Sequence, residues 1–279
     1  MSADGRATTE HRGEPRAEDT FWSDELEELH EESSRTHFLD VWTRTSMLER
    51  LGPLRALPTV VDLGCSTGYL LEDLRAAIPG ARLVGLDYVF AGLPGAQANV
   101  ATAALLQGDV CRLPLGDASA DAIVSANLLE HVPDDRGALA EIRRVLRPGA
   151  RAVIVVPAAP GAYDYYDRFL HHQRRYGQGE LADKARSVGL DVLDDVRLGS
   201  LIYPAFWLVK KRNRLLRDHL RGEALKRQVA ADIAKTKDSR LGHVTAHLER
   251  RLLKRGVVLP FGIRQLAVLE RRPIETSAS

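Results

Sequence analysis

The chain has 279 residues, 44% of them hydrophobic, which is enough to bury one sizeable core and makes a single decorated domain the simplest organisation. Lys and Arg number 39 against 38 Asp and Glu, so the overall charge offers no general attraction to nucleic acid or another polyanion. Only two cysteines occur, Cys65 and Cys111, without disulfide-like spacing, and neither a signal-like apolar region nor a membrane-length apolar run is present. The expected protein is cytoplasmic, neither secreted nor membrane-spanning.

Residues 1–20 are charged, rich in Gly and Ala and aperiodic, which predicts a disordered tail. From Phe21 to Leu51, Phe38, Val41, Trp42, Leu48 and Leu51 recur at helical spacing until Gly52-Pro53, predicting an N-terminal helical cap over 21–57. A core over 58–200 then alternates strand-like and helix-like runs: Thr59–Leu63, Tyr69–Ile78, Arg82–Leu86, Gly92–Ala98, Ala104–Gln107, Ala122–Ala126, Arg136–Leu146, Arg151–Val156, Glu180–Val188 and Leu190–Leu198. Strict alternation of this kind predicts a mostly parallel sheet covered by helices on both faces, with the apolar run Ala152–Val156 at its centre. Strand rhythm disappears over 201–258, where basic helical sequence with Leu241, Val244, Leu248 and Leu252 on one face predicts a helical insertion or lid. Gln265–Leu269, within a final segment 259–273, restores a seventh and last strand.

The chemistry begins at Val60-Val-Asp-Leu-Gly-Cys-Ser-Thr-Gly68, an apolar strand running through a glycine-bearing turn into a helix. Gly64 and Gly68 allow backbone to approach a ligand, and the helix start offers unpaired N–H groups. Asp87 stands at the tip of the second strand, where a carboxylate accepts from both hydroxyls of a ribose. Asp109 follows the third strand and suits the exocyclic amine of an adenine. With Asp62, three carboxylates at successive strand ends predict a nucleoside crevice. The dinucleotide fingerprint is missing, because Ser66 occupies the place of its second glycine, and no phosphate-binding lysine pattern appears. A nicotinamide oxidoreductase is therefore disfavoured.

In order and spacing, Asp62-Leu-Gly-Cys-Ser-Thr-Gly68, Gly85-Leu-Asp87, Gly108-Asp109, Leu113-Pro114, Asn127-Leu-Leu-Glu-His-Val132 and Leu146-Arg-Pro-Gly149 resemble the class I S-adenosylmethionine-dependent methyltransferases, over about residues 58–199. His172-Gln-Arg-Arg-Tyr176 before Glu180-Leu181 and Leu259-Pro-Phe-Gly262 resemble its small-molecule, type 11-like branch. The resemblance implies a Rossmann-like α/β fold with a seven-stranded, mostly parallel sheet. It implies S-adenosylmethionine as cofactor, with Gly64, Cys65, Ser66 and Gly68 along its methionine part and Asp62 supporting the ammonium group. Asp87 is then placed on the ribose, Tyr88 against the adenine, Asp109 and the Val110 backbone at the adenine edge, and Asn127 beside the sulfonium. Ser66 departs from the family's usual middle glycine, and Tyr88 is followed by Val-Phe rather than Ser-Pro.

The implied reaction is methyl transfer to O, N or C of a small-molecule acceptor, a secondary metabolite, sugar or lipid-linked compound. The alternative is a protein of the same fold that binds the cofactor without methylating, as a cyclase or a non-catalytic activating partner. Where the acceptor must lose a proton, His131 and His172 are the candidate bases, each weighed against a structural role. Arg174 and Arg175 fit either a salt-bridged corner or an anchor for an anionic substrate. No metal is expected, and a homo-oligomer is compatible with the sequence. Leu201–Val209 followed by Lys210-Lys-Arg-Asn-Arg214 raises peripheral lipid contact. The preferred reading buries Tyr203, Phe206 and Trp207 over the active site, with Asp218, Glu223 and Asp232 diluting the basic field.

Overall fold

The structure, a computed structural model, describes residues 35–236 and 239–273. The expected tail over 1–20 and the first part of the N-terminal cap lie outside the described residues. The described chain opens with α1 (Phe38–Leu48) and continues with β1 (Thr59–Leu63), α2 (Tyr69–Ala77), β2 (Arg82–Asp87), α3 (Leu93–Asn99), β3 (Ala104–Gln107), β4 (Ala120–Ala126) and α4 (Asp135–Val145). It goes on through β5 (Leu146–Pro157), α5 (Tyr165–Phe169), α6 (Glu180–Ser187), β6 (Leu190–Leu198), α7 (Tyr203–Arg217), α8 (Gly222–Thr236), α9 (Arg240–Lys254) and β7 (Arg264–Arg271).

These strands form one seven-stranded sheet in the order β3-β2-β1-β4-β5-β7-β6. β1 to β5 run parallel, and β7 inserts antiparallel between β5 and β6. Chain order reverses between β1 and β4, which opens a crevice at the carboxyl ends of those strands. The expected Rossmann-like α/β architecture, with helices on both faces and a helical insertion before the last strand, is the observed one.

Side-chain alternation builds a core on each face of the sheet. Val60, Val124, Val153 and Val155 pack with Leu70, Leu71, Leu74 and Trp42 on one side. Val61, Leu63, Ile123 and Ile154 pack with Leu139, Ile142 and Leu181 on the other. β5 begins at Leu146, five residues before the expected start. Leu146 pairs with Ala120 and the ladder resumes at Ala122–Arg151 after a register shift, so Arg147-Pro-Gly149 is an irregularity within the strand.

α1 is pinned to the last strand by Arg264, which donates to Thr43 Oγ1 at 2.7 Å and pairs with Asp40 at 2.5 Å. α9 crosses α1 at Gly242, where a Cβ would come within 2.6 Å of the Phe38 ring. Among the described residues no helix is long and apolar enough to cross a membrane.

One expectation fails in α7. Trp207 is exposed rather than buried, while Tyr203 and Phe206 are half-buried. The reason is electrostatic: the inward face of the helix is taken by Lys210 and Asn213, which reach Asp164 and Asp167 beneath it. The acidic residues expected to dilute the basic field have partners of their own. Asp218 pairs with Arg168 at 2.6 Å, Asp232 accepts from the Tyr165 hydroxyl, and Glu223 pairs with Lys226 at 3.5 Å.

Candidate active site

The turn after β1 is tied to β2. Gly64 N–H and Cys65 N–H both donate to the Leu86 carbonyl, at 2.8 and 3.1 Å, and Ser66 N–H donates to Asp87 Oδ2 at 2.8 Å. Gly64 and Gly68 take φ of +75° and +83°, the left-handed region that glycine enters without steric cost. Ser66 sits at φ +47°, so the serine accepts a conformation that its missing glycine would have taken more cheaply. At Gly68 the decisive constraint is packing: a Cβ would lie 2.9 Å from Cα and Cβ of Ala96 on α3.

Asp62, Asp87 and Asp109 stand at the carboxyl ends of β1, β2 and β3 or just beyond, in the arrangement anticipated from the strand rhythm. Asp62 is fully buried, and its Oδ2 has no hydrogen-bond partner within the protein. Burial, reinforced by the neighbouring Asp87 carboxylate, pushes its pKa up to about 8. Asp87 also accepts from Val89 N–H at 3.0 Å, and its carbonyl accepts from Gly108 N–H at 2.9 Å, linking the tips of β2 and β3. Asp109 is exposed and accepts from Cys111 N–H at 2.8 Å, capping a short helical turn in which Val110 is buried. Tyr88 projects into solvent at the rim. Asn127 closes β4 at φ +53°, held by its N–H to the Val155 carbonyl at 2.9 Å.

A second cluster follows β4. The rings of His131 and His172 meet edge to face with centroids 4.8 Å apart. His172 Nδ1 lies 2.9 Å from Asp167 Oδ1, and its Nε2 points towards Glu130 Oε1 at 4.0 Å. Burial lowers the His172 pKa below 6.5 against the pull of Asp167, and pushes Glu130 up to about 8. Glu130 is fully buried with neither carboxylate oxygen hydrogen-bonded. Asp167 also takes Arg175 Nε at 2.7 Å and Lys210 Nζ at 3.4 Å, and is held well below the usual carboxylate range by His172, Lys210 and Arg175 together.

The two arginines of this segment form a corner. Arg175 donates onward to the Ala158 carbonyl at 3.1 Å, and Arg174 pairs with Asp135 at 2.7 Å, the same carboxylate that accepts from Tyr176 at 2.7 Å.

Residues 61–154 match the model of the family described as a methyltransferase domain. This segment is therefore similar to methyltransferase domains. A Mycolicibacterium smegmatis protein described as an S-adenosylmethionine-dependent methyltransferase is 32% identical over 150 residues, 52% of this chain and 57% of that protein. A demethylmenaquinone methyltransferase of Lactococcus lactis is 33% identical over 136 residues, 47% of this chain and 53% of the other. The chain thus spans about half the length of these curated relatives. Among solved structures, phosphoethanolamine N-methyltransferase 2 of Haemonchus contortus with S-adenosyl-L-methionine superposes with TM-score 0.63 at 14% identity, covering 92% of this chain and 59% of that one. The cyclase SpnF superposes with TM-score 0.56 at 18% identity, covering 83% and 80%. These structural likenesses concern the fold alone.

Asp62 supplies a test of cofactor fit from the chain itself. A buried carboxylate with one unpartnered oxygen beside a glycine-lined bend is complementary to the ammonium group of an amino acid moiety. S-adenosylmethionine carries that group, and the residues present suit it.

Sequence reasoning did not single out Glu130 or Asp167 as site residues. Glu130 was visible only as part of the Leu-Leu-Glu-His motif, and the partners of Asp167 on α7 and in the His172 segment lie 5 to 43 positions away. Among the described residues, Glu130, His131 and His172 are also the group that brings three metal-type donors within 4.8 Å of one another. Arg175 and Arg264 act on Glu130 as nearby positive charges. The 4.0 Å from His172 Nε2 to Glu130 also exceeds the ~3.4 Å between tetrahedral donors at ~2.1 Å from a zinc ion.

Proposed function

We propose that the chain transfers the methyl group of S-adenosylmethionine to O, N or C of a small-molecule acceptor. The single observation carrying this reading is the buried Asp62 carboxylate, its Oδ2 unpartnered, beside the Gly64–Gly68 bend, within a segment that matches a methyltransferase domain. Gly64, Cys65, Ser66 and Gly68 line the methionine moiety and Asp62 receives its ammonium. Asp87 takes the ribose hydroxyls, Tyr88 packs on the adenine, Asp109 and the Val110 backbone meet its edge, and Asn127 lines the sulfonium side.

When bound, the cofactor supplies an already activated methyl group, so the protein's work is to place an acceptor in line and keep water away. α1 and the α7–α9 insertion supply the roof of the acceptor pocket. His172 accepts the acceptor's proton at Nε2: its Nδ1 is held by Asp167, and its lowered pKa keeps the imidazole neutral near pH 7. His131 orients the ring from the side. The relative named for demethylmenaquinone supports a small-molecule acceptor, with a secondary metabolite, sugar or lipid-linked compound as its class.

The test is incubation with methyl-labelled S-adenosylmethionine and acceptors from these classes. Label in an organic product supports the reading. Tight binding of S-adenosylhomocysteine without transfer to any acceptor moves the chain to the non-methylating class, a cyclase or an activating partner.

A further inference from the structure

α7 is built inside out. Facing the protein are Lys210, whose Nζ lies 2.7 Å from Asp164 Oδ1, and Asn213, whose Nδ2 donates to Asp164 Oδ2 at 3.4 Å, both buried. Arg217, one turn further on, donates to the Tyr165 hydroxyl at 3.3 Å. With polar side chains holding the inner face, the apolar ones stand outside: Leu208, Leu215 and Leu216 are 61%, 77% and 61% exposed. Leu208, Arg212 and Leu215 follow one another at i, i+4 and i+7, a single row along the outer surface. Trp207 lies beside that row with Lys211 Nζ 5.2 Å from its ring centroid.

The charge on this part of the chain is one-sided. Residues 201–257 hold fifteen Lys and Arg against five Asp and Glu, although the whole chain is almost neutral. The nearest carboxylates do not offset it on the outer face, because Asp218 and Asp232 are engaged by Arg168, Tyr165 and Arg217.

We infer that α7 is a docking helix that seats the protein on an anionic lipid surface. Leu208, Leu215 and Leu216 enter the boundary between headgroups and acyl chains, Trp207 sits at headgroup level, and Lys211, Arg212 and Arg214 meet lipid phosphates. Charge selects this occupant over a second copy. A two-fold contact through the same face would bring Lys211, Arg212 and Arg214 against their own equivalents, and like charges brought together in this way cost energy. A polyanion alone leaves the leucine row unexplained. The inference does not depend on the identity of the methyl acceptor.

The experiment is co-sedimentation of the full-length protein with sucrose-loaded vesicles, phosphatidylcholine alone against phosphatidylcholine with phosphatidylglycerol. Expected is at least about tenfold stronger partitioning onto the anionic vesicles, weakened by salt. Leu208→Glu with Leu215→Glu, and separately Lys211→Glu with Arg212→Glu, should each lower it by about tenfold or more. Thermal melting and S-adenosylhomocysteine affinity should stay at wild-type values, since none of these side chains faces the core. A wild-type chain that stays in the supernatant with anionic vesicles overturns the inference. So does a wild-type oligomer that Leu215→Glu converts to monomer in light scattering, which gives the face to a second copy.

Discussion

Ser66 N–H donates to Asp87 Oδ2 at 2.8 Å, so the carboxylate at the tip of β2 closes the bend that follows β1. Asp87 therefore has two tasks in the proposed site: it orders the backbone along the methionine moiety and receives the ribose hydroxyls. Asp87→Ala removes both. S-adenosylhomocysteine affinity should fall by roughly 1.5–3 kcal/mol, the scale of hydrogen bonds to a charged group. Titration calorimetry measures it, and an unchanged affinity takes Asp87 out of the site.

Gly68 separates a ligand role from a packing role. Its φ of +83° disfavours any side chain, and an added Cβ would meet backbone and Cβ atoms of Ala96 at 2.9 Å rather than a flexible tip. Gly68→Ala should destabilise the fold by about 1–3 kcal/mol through backbone strain and overpacking, and weaken the cofactor as the start of α2 shifts. Thermal denaturation decides: a variant as stable as wild type means that α3 yields without cost.

Local sequence was a good guide wherever one element's burial depended on its own pattern. Thr59–Leu63, Ala104–Gln107 and Leu190–Leu198 were legible to the residue because each strand-like run is stopped by a glycine, Gly64, Gly108 or Gly199. The first residues of β5 were not, since Arg147-Pro-Gly149 has turn composition and its strand identity comes from Leu146 pairing with Ala120. The orientation of α7 was illegible for a stronger reason. Its aromatic residues read as the buried face, but Asp164 and Asp167, more than 40 positions earlier, draw Lys210 inward and leave Trp207 exposed. The carboxylates at the strand ends were visible from spacing, whereas Glu130 needed three dimensions to stand out.

Glu130 should mark itself through pH. Burial raises its pKa to about 8, above the roughly 4.3 of an unfolded glutamate. A group raised on folding contributes stability that is complete below the unfolded value and is lost as pH climbs through the folded one. Glu130→Gln keeps the shape and removes the titration, so its stability relative to wild type should improve between about pH 5 and pH 8, by on the order of 1–3 kcal/mol. Asp62 is raised in the same way but is present in both proteins, so it cancels in the difference. Thermal melts of the two proteins across that range provide the measurement. A difference that stays flat means that Glu130 ionises like an ordinary glutamate.

His172 carries the prediction closest to the chemistry. With Nδ1 held by Asp167 and its pKa below 6.5, the imidazole should lose its proton on the acidic side of neutrality. If it takes the acceptor's proton, kcat rises as pH climbs through that region and levels off above it. His172→Gln should lower kcat by about 10²–10⁴ and abolish the acidic limb, while S-adenosylhomocysteine affinity changes by no more than roughly twofold. A merely structural histidine behaves differently: its loss lowers stability and the rate across all pH and leaves the limb in place. His131→Gln serves as the comparison, because its ring meets that of His172 only edge to face. It should lower the rate less than His172→Gln and retain the limb. If the limb persists in His172→Gln and vanishes in His131→Gln, the base is His131 and the roles assigned to the two rings are exchanged.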